Sequence, residues 1–352
     1  MKKHSIYLLL CLQTVALLSL SSCHSKTRTN LKIIHPISHQ VNRMTLPVEL
    51  RSLKITTSNG LPDNSVYSIY QDHKGFIWFC TLNGLARYDG NNFLTITRDS
   101  CATALHDNRI KEIHEDKYGL LWIRTSAETF NCYNPKTGKF IDYSGEKKRN
   151  RHYNSFLEVP NEGIWLYGKQ EGCIHILHHK NHFSSSIYQK EETGSNHINF
   201  ICHGRRSNIY IGTDRTLCLF RNGKIRKLAK GNFIKNITTK KKIFFLTANG
   251  KVYEIRDNGI FLKATISEVR KGDDKITDAI AYKKQIIIFS SNGGYHINLN
   301  GKVSPNKGTW HIPNGQIVKD DEQHPWIYNK TGVLFRINGN KIHPIRLFPS
   351  QE

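Results

Sequence analysis

All-β, and specifically a seven-bladed β-propeller of four-stranded antiparallel blades, is the fold class this sequence predicts, and three observations predict it. First, residues 61–93 (LPDNSVYSIYQDHKGFIWFCTLNGLARYDGNNF) hold four short β-prone runs separated by an Asp-x-x-Gly turn, an Asn-Gly turn and an Asp-Gly-Asn-Asn turn. Asn-Gly and Asp-Gly supply the positive φ that tight hairpin turns need. Second, the unit recurs. Trp122 follows Trp78 by 44 residues, Trp165 follows Trp122 by 43, and weaker copies centre on Tyr210, Phe244, Ile287 and Trp326, seven in all. Third, helical periodicity is nearly absent after residue 45, while 25 glycines and 10 prolines are scattered at turn positions. A single meander cannot dry its own apolar faces, so copies at this spacing stack as blades.

The elements follow in chain order. Residues 1–23 open on Lys2 and Lys3, run through an apolar stretch at 6–20 and close on Leu20-Ser21-Ser22-Cys23. A basic start, a short apolar core and small residues before a cut predict a secretory signal, with too little apolar length to favour a permanent membrane span. Residues 24–47 are polar, basic and aperiodic, which predicts a tether. The strand-like 48–56 (VELRSLKIT) is expected to complete the last blade and so remove two sheet edges. The blades are expected at 57–99, 100–143, 144–188, 189–228, 229–264, 265–303 and 304–348.

The first copy, and the second at 105–140 (LHDNRIKEIHEDKYGLLWIRTSAETFNCYNPKTGKF), share Asp-Asn-x-Ile/Val, an Asp-x-x-Gly turn, an apolar residue before Trp, and a closing Phe. In these motifs the chain resembles the two-component regulator propeller repeats, which form the sensor region of hybrid two-component histidine kinases controlling polysaccharide use. The resemblance covers about a quarter of the chain by motif and most of it by period. It implies a non-enzymatic, sensor-type ligand-binding propeller that responds to oligosaccharides, anionic ones included. It also implies a membrane-spanning sensor kinase or an envelope protein as partner. Residues 20–23 resemble a bacterial lipobox, which implies lipidation of Cys23. Lys26 and Arg28, with no acidic residue beside them, imply a periplasmic, lipid-anchored location. Full-length relatives carry a membrane helix and a kinase core; no further apolar run of that length and no phosphoacceptor or ATP-lid pattern is readable here. A standalone propeller lipoprotein, or the upstream piece of a sensor, is the expectation.

The chemistry-bearing residues point the same way. There is no Gly-Lys-Ser/Thr phosphate loop, no Gly-x-Ser-x-Gly elbow and no His-Glu-x-x-His, so no catalytic residue and no cofactor is assigned. Asp273-Asp274 and Asp320-Asp321 are neighbours whose side chains point apart in extended chain. Cys173, His175, His178, His179 and His182 gather within ten residues, but their spacing matches no standard metal site and a histidine-rich hairpin is expected. Of the cysteines in the body, Cys202 and Cys218 are the best candidates for a disulfide.

With 51 Lys and Arg against 28 Asp and Glu, the net charge is +23, and near +21 without Lys2 and Lys3. Such an excess raises the local concentration of anions. An exported chain without a recognition helix is not expected to bind nucleic acid, which leaves anionic polysaccharide or an anionic membrane surface. Loops preceding each inner strand and loops joining second to third strands should emerge together at the channel mouth. The ligand-binding candidates there are Arg109, Arg124, Asn154, Lys169, His197, Asp214, Lys275 and Trp310. Trp78, Trp122, Trp165 and Trp326 are expected to pack between blades rather than to serve as sugar platforms. Two other readings stay open: an envelope interaction scaffold, and a polysaccharide-cleaving enzyme on the same fold.

Overall fold

The computed structural model describes residues 55–99, 105–143, 152–179, 182–205, 207–239, 242–256, 259–272, 274–282, 284–298 and 300–307, and the strand backbones at 316–319, 325–328, 334–338 and 341–345. Twenty-eight strands form seven antiparallel sheets, each a meander of four consecutive strands. Sheet one is β1 (Val66–Gln71), β2 (Ile77–Thr81), β3 (Gly84–Tyr88) and β4 (Phe93–Ile96). Sheet two is β5 (Ile110–Glu115), β6 (Leu121–Thr125), β7 (Phe130–Asn134) and β8 (Lys139–Ile141). Sheet three is β9 (Ser155–Val159), β10 (Gly163–Tyr167), β11 (Cys173–His178) and β12 (Phe183–Tyr188). Sheet four is β13 (Ile198–His203), β14 (Ile209–Thr213), β15 (Thr216–Arg221) and β16 (Lys224–Lys230). Sheet five is β17 (Phe233–Thr238), β18 (Ile243–Thr247), β19 (Lys251–Arg256) and β20 (Gly259–Thr265). Sheet six is β21 (Ile276–Tyr282), β22 (Gln285–Ser290), β23 (Gly293–Asn298) and β24 (Val303–Lys307). Sheet seven is β25 (Gln316–Lys319), β26 (Pro325–Tyr328), β27 (Leu334–Asn338) and β28 (Lys341–Ile345).

This is the seven-bladed propeller the repeat requires. The seventh sheet draws all four strands from 316–345; the 48–54 part of the expected closing strand lies outside the described residues, as do the signal segment with Cys23, the tether and Trp310. Two short helices, α1 (Lys190–Thr193) and α2 (Ser267–Lys271), sit in the links entering blades four and six.

The core lies between blades. Trp78, Leu85 and Cys80 of blade one pack with Ile110, Leu121, Ile123 and Tyr133 of blade two. Trp122 and Phe130 then pack with Tyr153, Ile164 and Leu166 of blade three, and Trp165 with Ile201, Ile211 and Phe220 of blade four. Similar layers join blades four to five and five to six. From blade one to blade six the facing sides of adjacent blades thus dry one another, the reason a lone copy would not hold its fold.

Trp78 and Trp122 are fully buried and fixed at their polar end too. Asp72, in the first turn, accepts hydrogen bonds from the Lys74 and Phe76 amides, both at 3.0 Å, and from Trp78 Nε1 at 2.8 Å. Asp116 accepts from the Tyr118 amide at 2.9 Å, the Leu120 amide at 3.0 Å and Trp122 Nε1 at 2.9 Å. The Asp-x-x-Gly-x-x-Trp spacing is therefore one device: a buried carboxylate closes the turn and satisfies the indole. Blade three has Val159 where the carboxylate would stand, and Trp165 Nε1 finds no acceptor among the described residues. Its ring stacks instead on His175, with centroids 4.3 Å apart.

The candidate pair Cys202 and Cys218 forms no disulfide. Cys202 lies on β13 opposite Tyr210, and Cys218 on β15 opposite Ile211. Tyr210 and Ile211 are successive residues of β14 and face opposite sides, so the two thiols occupy different interblade layers. Cys80, Cys132, Cys173, Cys202 and Cys218 are all buried free thiols.

Candidate mouth of the propeller

In an antiparallel meander the second-to-third turns share one end of the sheet with the segment entering the first strand. Backbone hydrogen bonds join the two in blade after blade. Ser126 N donates to Arg109 O at 2.8 Å, Asp214 N to His197 O at 3.3 Å, Ala248 N to Asn232 O at 2.9 Å and Ser291 N to Lys275 O at 2.8 Å. A second set crosses between blades at the same end. Gly84 N donates to Asn108 O at 2.8 Å, Tyr153 N to Glu128 O at 2.7 Å, Gly172 N to Asn196 O at 3.0 Å and Gly231 N to Arg215 O at 2.8 Å. Among the described residues, the loops at this end are thus stitched together into a rim from blade one to blade five.

Most of the candidate residues stand on that rim. Arg109 is exposed immediately before β5, with its guanidinium 3.0 Å from Asp107. Asn154 enters β9 and its Oδ1 accepts from Ser155 Oγ at 3.0 Å. Lys169 and Lys275 are exposed, and His197 is half-buried with its amide donating to Ser195 Oγ at 3.0 Å. Asp214 Oδ1 is buried and meets no donor among the described residues. Arg124 departs from expectation: it lies within β6, not in the loop beyond, because the strand runs on to Thr125. There its Nε donates to Glu112 Oε1 at 2.7 Å, and His114 Nε2 approaches the same oxygen at 3.2 Å. Burial alone would raise the Glu112 carboxyl, but these two partners hold its pKa down to about 2. The charge of Arg124 is spent inside the protein.

Sequence reasoning missed a ring of residues set by strand irregularity. In blades one, two, four, five and six the pairing of first and second strands slips by one residue near the mouth end: between Val66 and Ser68, Ile110 and Glu112, Ile198 and Phe200, Phe233 and Lys235, and Ile276 and Asp278. A bulge leaves one residue unpaired and re-aims its side chain. Two of the extra residues, Tyr67 and Lys111, meet across the first two blades, with Lys111 Nζ 3.6 Å from the Tyr67 ring centroid. Tyr67 is 43% exposed, an uncommon state for a tyrosine in an inner strand, and lies within electrostatic reach of Arg109. A part-exposed tyrosine ring, the ammonium that sits over it and a guanidinium paired with Asp107 therefore converge on one part of the rim. The run Val-Tyr-Ser-Ile-Tyr gives no sign of this, because a bulge shifts the register without changing residue type.

The histidine-rich segment is organised otherwise. Cys173 is fully buried in an apolar layer, His175 Nε2 is hydrogen-bonded to Glu162 O, and His179 Nε2 is 2.9 Å from Ser184 Oγ. Among the described residues no group of three or more His, Cys, Asp or Glu side chains could hold a metal ion. A 230 Å³ cavity between β17 and β21 is bordered by Lys235 and Asp278, which pair at 2.6 Å.

The class defined by this architecture is a β-propeller whose first blade carries a named repeat: the family model described as "Two component regulator propeller" matches residues 60–83. Among solved structures, the chain is similar to the extracellular domain assigned to the hybrid two-component system BT3049 from B. thetaiotaomicron, at 19% identity and a TM-score of 0.48 over 80% of this chain and 41% of that one. The corresponding domain of BT4673 from the same organism is 21% identical, with a TM-score of 0.47 over 79% and 41%. The computationally designed protein Ika8 is 10% identical, with a TM-score of 0.51 over 77% of this chain and 83% of that one. These likenesses are of fold. The chain spans about 41% of the length of the two extracellular domains. No curated protein matches it.

Proposed function

We propose that this chain is a non-enzymatic sensing propeller, the extracytoplasmic ligand-binding portion of a hybrid two-component system or of a separately encoded partner kinase, exported and held in the periplasm by a lipid on Cys23. Its ligand is an oligosaccharide with anionic groups, bound at the mouth without a cofactor. The observation that carries this reading is the group at the first two blades: the exposed Tyr67 ring offers a stacking face, while Arg109 and Lys111 lie beside it. An arginine can meet a carboxylate or sulfate with two parallel hydrogen bonds. Lys169, His197, Asp214 and Lys275 extend the polar rim to blades three, four and six. A non-catalytic role is supported by the carboxylates near Tyr67. Glycoside cleavage needs a carboxylic acid that keeps its proton near neutrality, whereas hydrogen bonds and neighbouring cations hold Asp107 and Glu112 below the ordinary range despite their partial burial.

A glycan array followed by calorimetry tests the reading. Submillimolar binding of a uronate-bearing or sulfated oligosaccharide is expected, lost in Arg109→Ala and in Tyr67→Ala. Binding unchanged in both variants would remove the mouth as the site, and product release from the glycan would replace sensing with catalysis.

A further inference from the structure

The end of the propeller opposite the mouth carries a charge pattern that ligand sensing does not use. First-to-second and third-to-fourth turns emerge there. In the first-to-second turns stand Lys74 of blade one, Lys117 of blade two and Lys284 of blade six; in or beside the third-to-fourth turns stand Lys136 of blade two, Lys224 of blade four and Lys302 of blade six. All six are exposed, and none forms an ion pair with a described acidic residue. The turns share one face, because first-to-second and third-to-fourth turns leave a four-stranded meander at the same end, and in blades one to three the neighbouring turns are also tied to one another. His73 N donates to Glu115 Oε2 at 2.9 Å, and Lys117 N donates to Glu158 Oε1 at 3.2 Å.

Among the described residues, most acidic groups of this end are turned inward or hydrogen-bonded within their turns, with Glu158 and Glu162 half-buried and Asp89 exposed; Asp257, Asp320, Asp321 and Glu322 lie outside the described residues. Asp72 and Asp116 are buried and filled by turn amides and indoles. Glu115 is buried and is held by His73 and Tyr70. Asp89 is exposed but caps its own turn through the Asn91 and Asn92 amides. Lysine positive charge is left facing solvent around several blades at once. A short anionic ligand would touch one or two of these turns. A flat anionic surface touches them all.

We propose that this face docks onto an anionic phospholipid surface, with lipid headgroup phosphates meeting the turn lysines and the mouth pointing away from the bilayer. The proposal stands on charge placement and does not depend on what the mouth binds. Each basic side chain brought to an anionic membrane strengthens binding by about fivefold, so three turn lysines together are worth roughly a hundredfold.

The test uses the full chain and reads the ratio of its partition onto vesicles of 30% phosphatidylglycerol in phosphatidylcholine to that onto phosphatidylcholine alone, so that insertion of apolar segments cancels. Lys74→Gln/Lys117→Gln/Lys284→Gln is compared with Lys190→Gln/Arg215→Gln/Lys230→Gln, which removes the same charge from exposed positions at the mouth end. The first triple should lower the ratio by roughly a hundredfold and the second by only a few-fold, both differences shrinking in high salt. Equal losses in the two triples would reduce the effect to net charge, and no preference for phosphatidylglycerol in the unaltered chain would end the proposal. Dextran sulfate binding abolished by the first triple, with vesicle partition intact, would reassign the face to a polyanionic chain and overturn membrane docking.

Discussion

Replacing Asp116 by Ala removes a carboxylate that answers three donors at once. Of these, the Tyr118 amide lies in an exposed turn residue and can turn to water, whereas the Leu120 amide and Trp122 Nε1 are buried at 3.0 and 2.9 Å from the lost oxygens. A buried donor left without a partner costs about 1–3 kcal/mol, so the loss of two partners should destabilise the fold by about 2–6 kcal/mol. Asp116→Asn keeps one acceptor oxygen and should cost less. The assay is urea unfolding followed in parallel by tryptophan fluorescence and circular dichroism, with the midpoint falling at unchanged slope. The chain carries its own comparison, since Trp165 already lacks such a partner and is held by stacking on His175. A midpoint for Asp116→Ala within about 0.5 kcal/mol of the unaltered protein would refute the claim that the carboxylate-indole pair is what the repeat preserves.

Two further outcomes follow from buried titratable groups. Burial pushes the Cys80 and Cys202 thiols up to about 12 and also raises those of Cys132, Cys173 and Cys218. All five should resist a thiol reagent at pH 8 in the native protein and react in guanidinium, as counted by peptide mass spectrometry. Glu112 titrates near 2 in the folded protein, below the ordinary glutamate value of about 4.3. Its contribution to stability is therefore present above about pH 4.3 and is lost as the pH falls towards 2. Glu112→Gln should unfold at lower urea than the unaltered chain at pH 7, and the gap should close by pH 2; a constant gap would mean that Glu112 acts through packing alone.

Much of this architecture is legible in the chain because its signals are local. The turn residues at 72–75 and 83–84 fix tight reversals within a few residues, and the recurrence of Trp78 at Trp122 and Trp165 shows that the unit needs a neighbour. The same locality placed the first-strand entries and second-to-third turns at one end, where the Arg109, His197 and Lys275 carbonyls are now seen receiving bonds from the opposing turns. Arg124 was misplaced by two residues, because strand ends depend on pairing with the adjacent strand rather than on the segment's own composition. Tyr67 and Lys111 were invisible for a related reason: a bulge is a property of two strands in register.

By itself, then, the sequence determined the repeat, the four-stranded unit, the buried tryptophans and the excess of positive charge, all of which depend on residue type and spacing. Only the tertiary structure decided which thiols share an interblade layer, which cation is consumed by a neighbouring carboxylate, and where an exposed tyrosine stands beside two cations. Those outcomes rest on which faces meet when blades pack, and a one-residue slip in strand register is enough to exchange them.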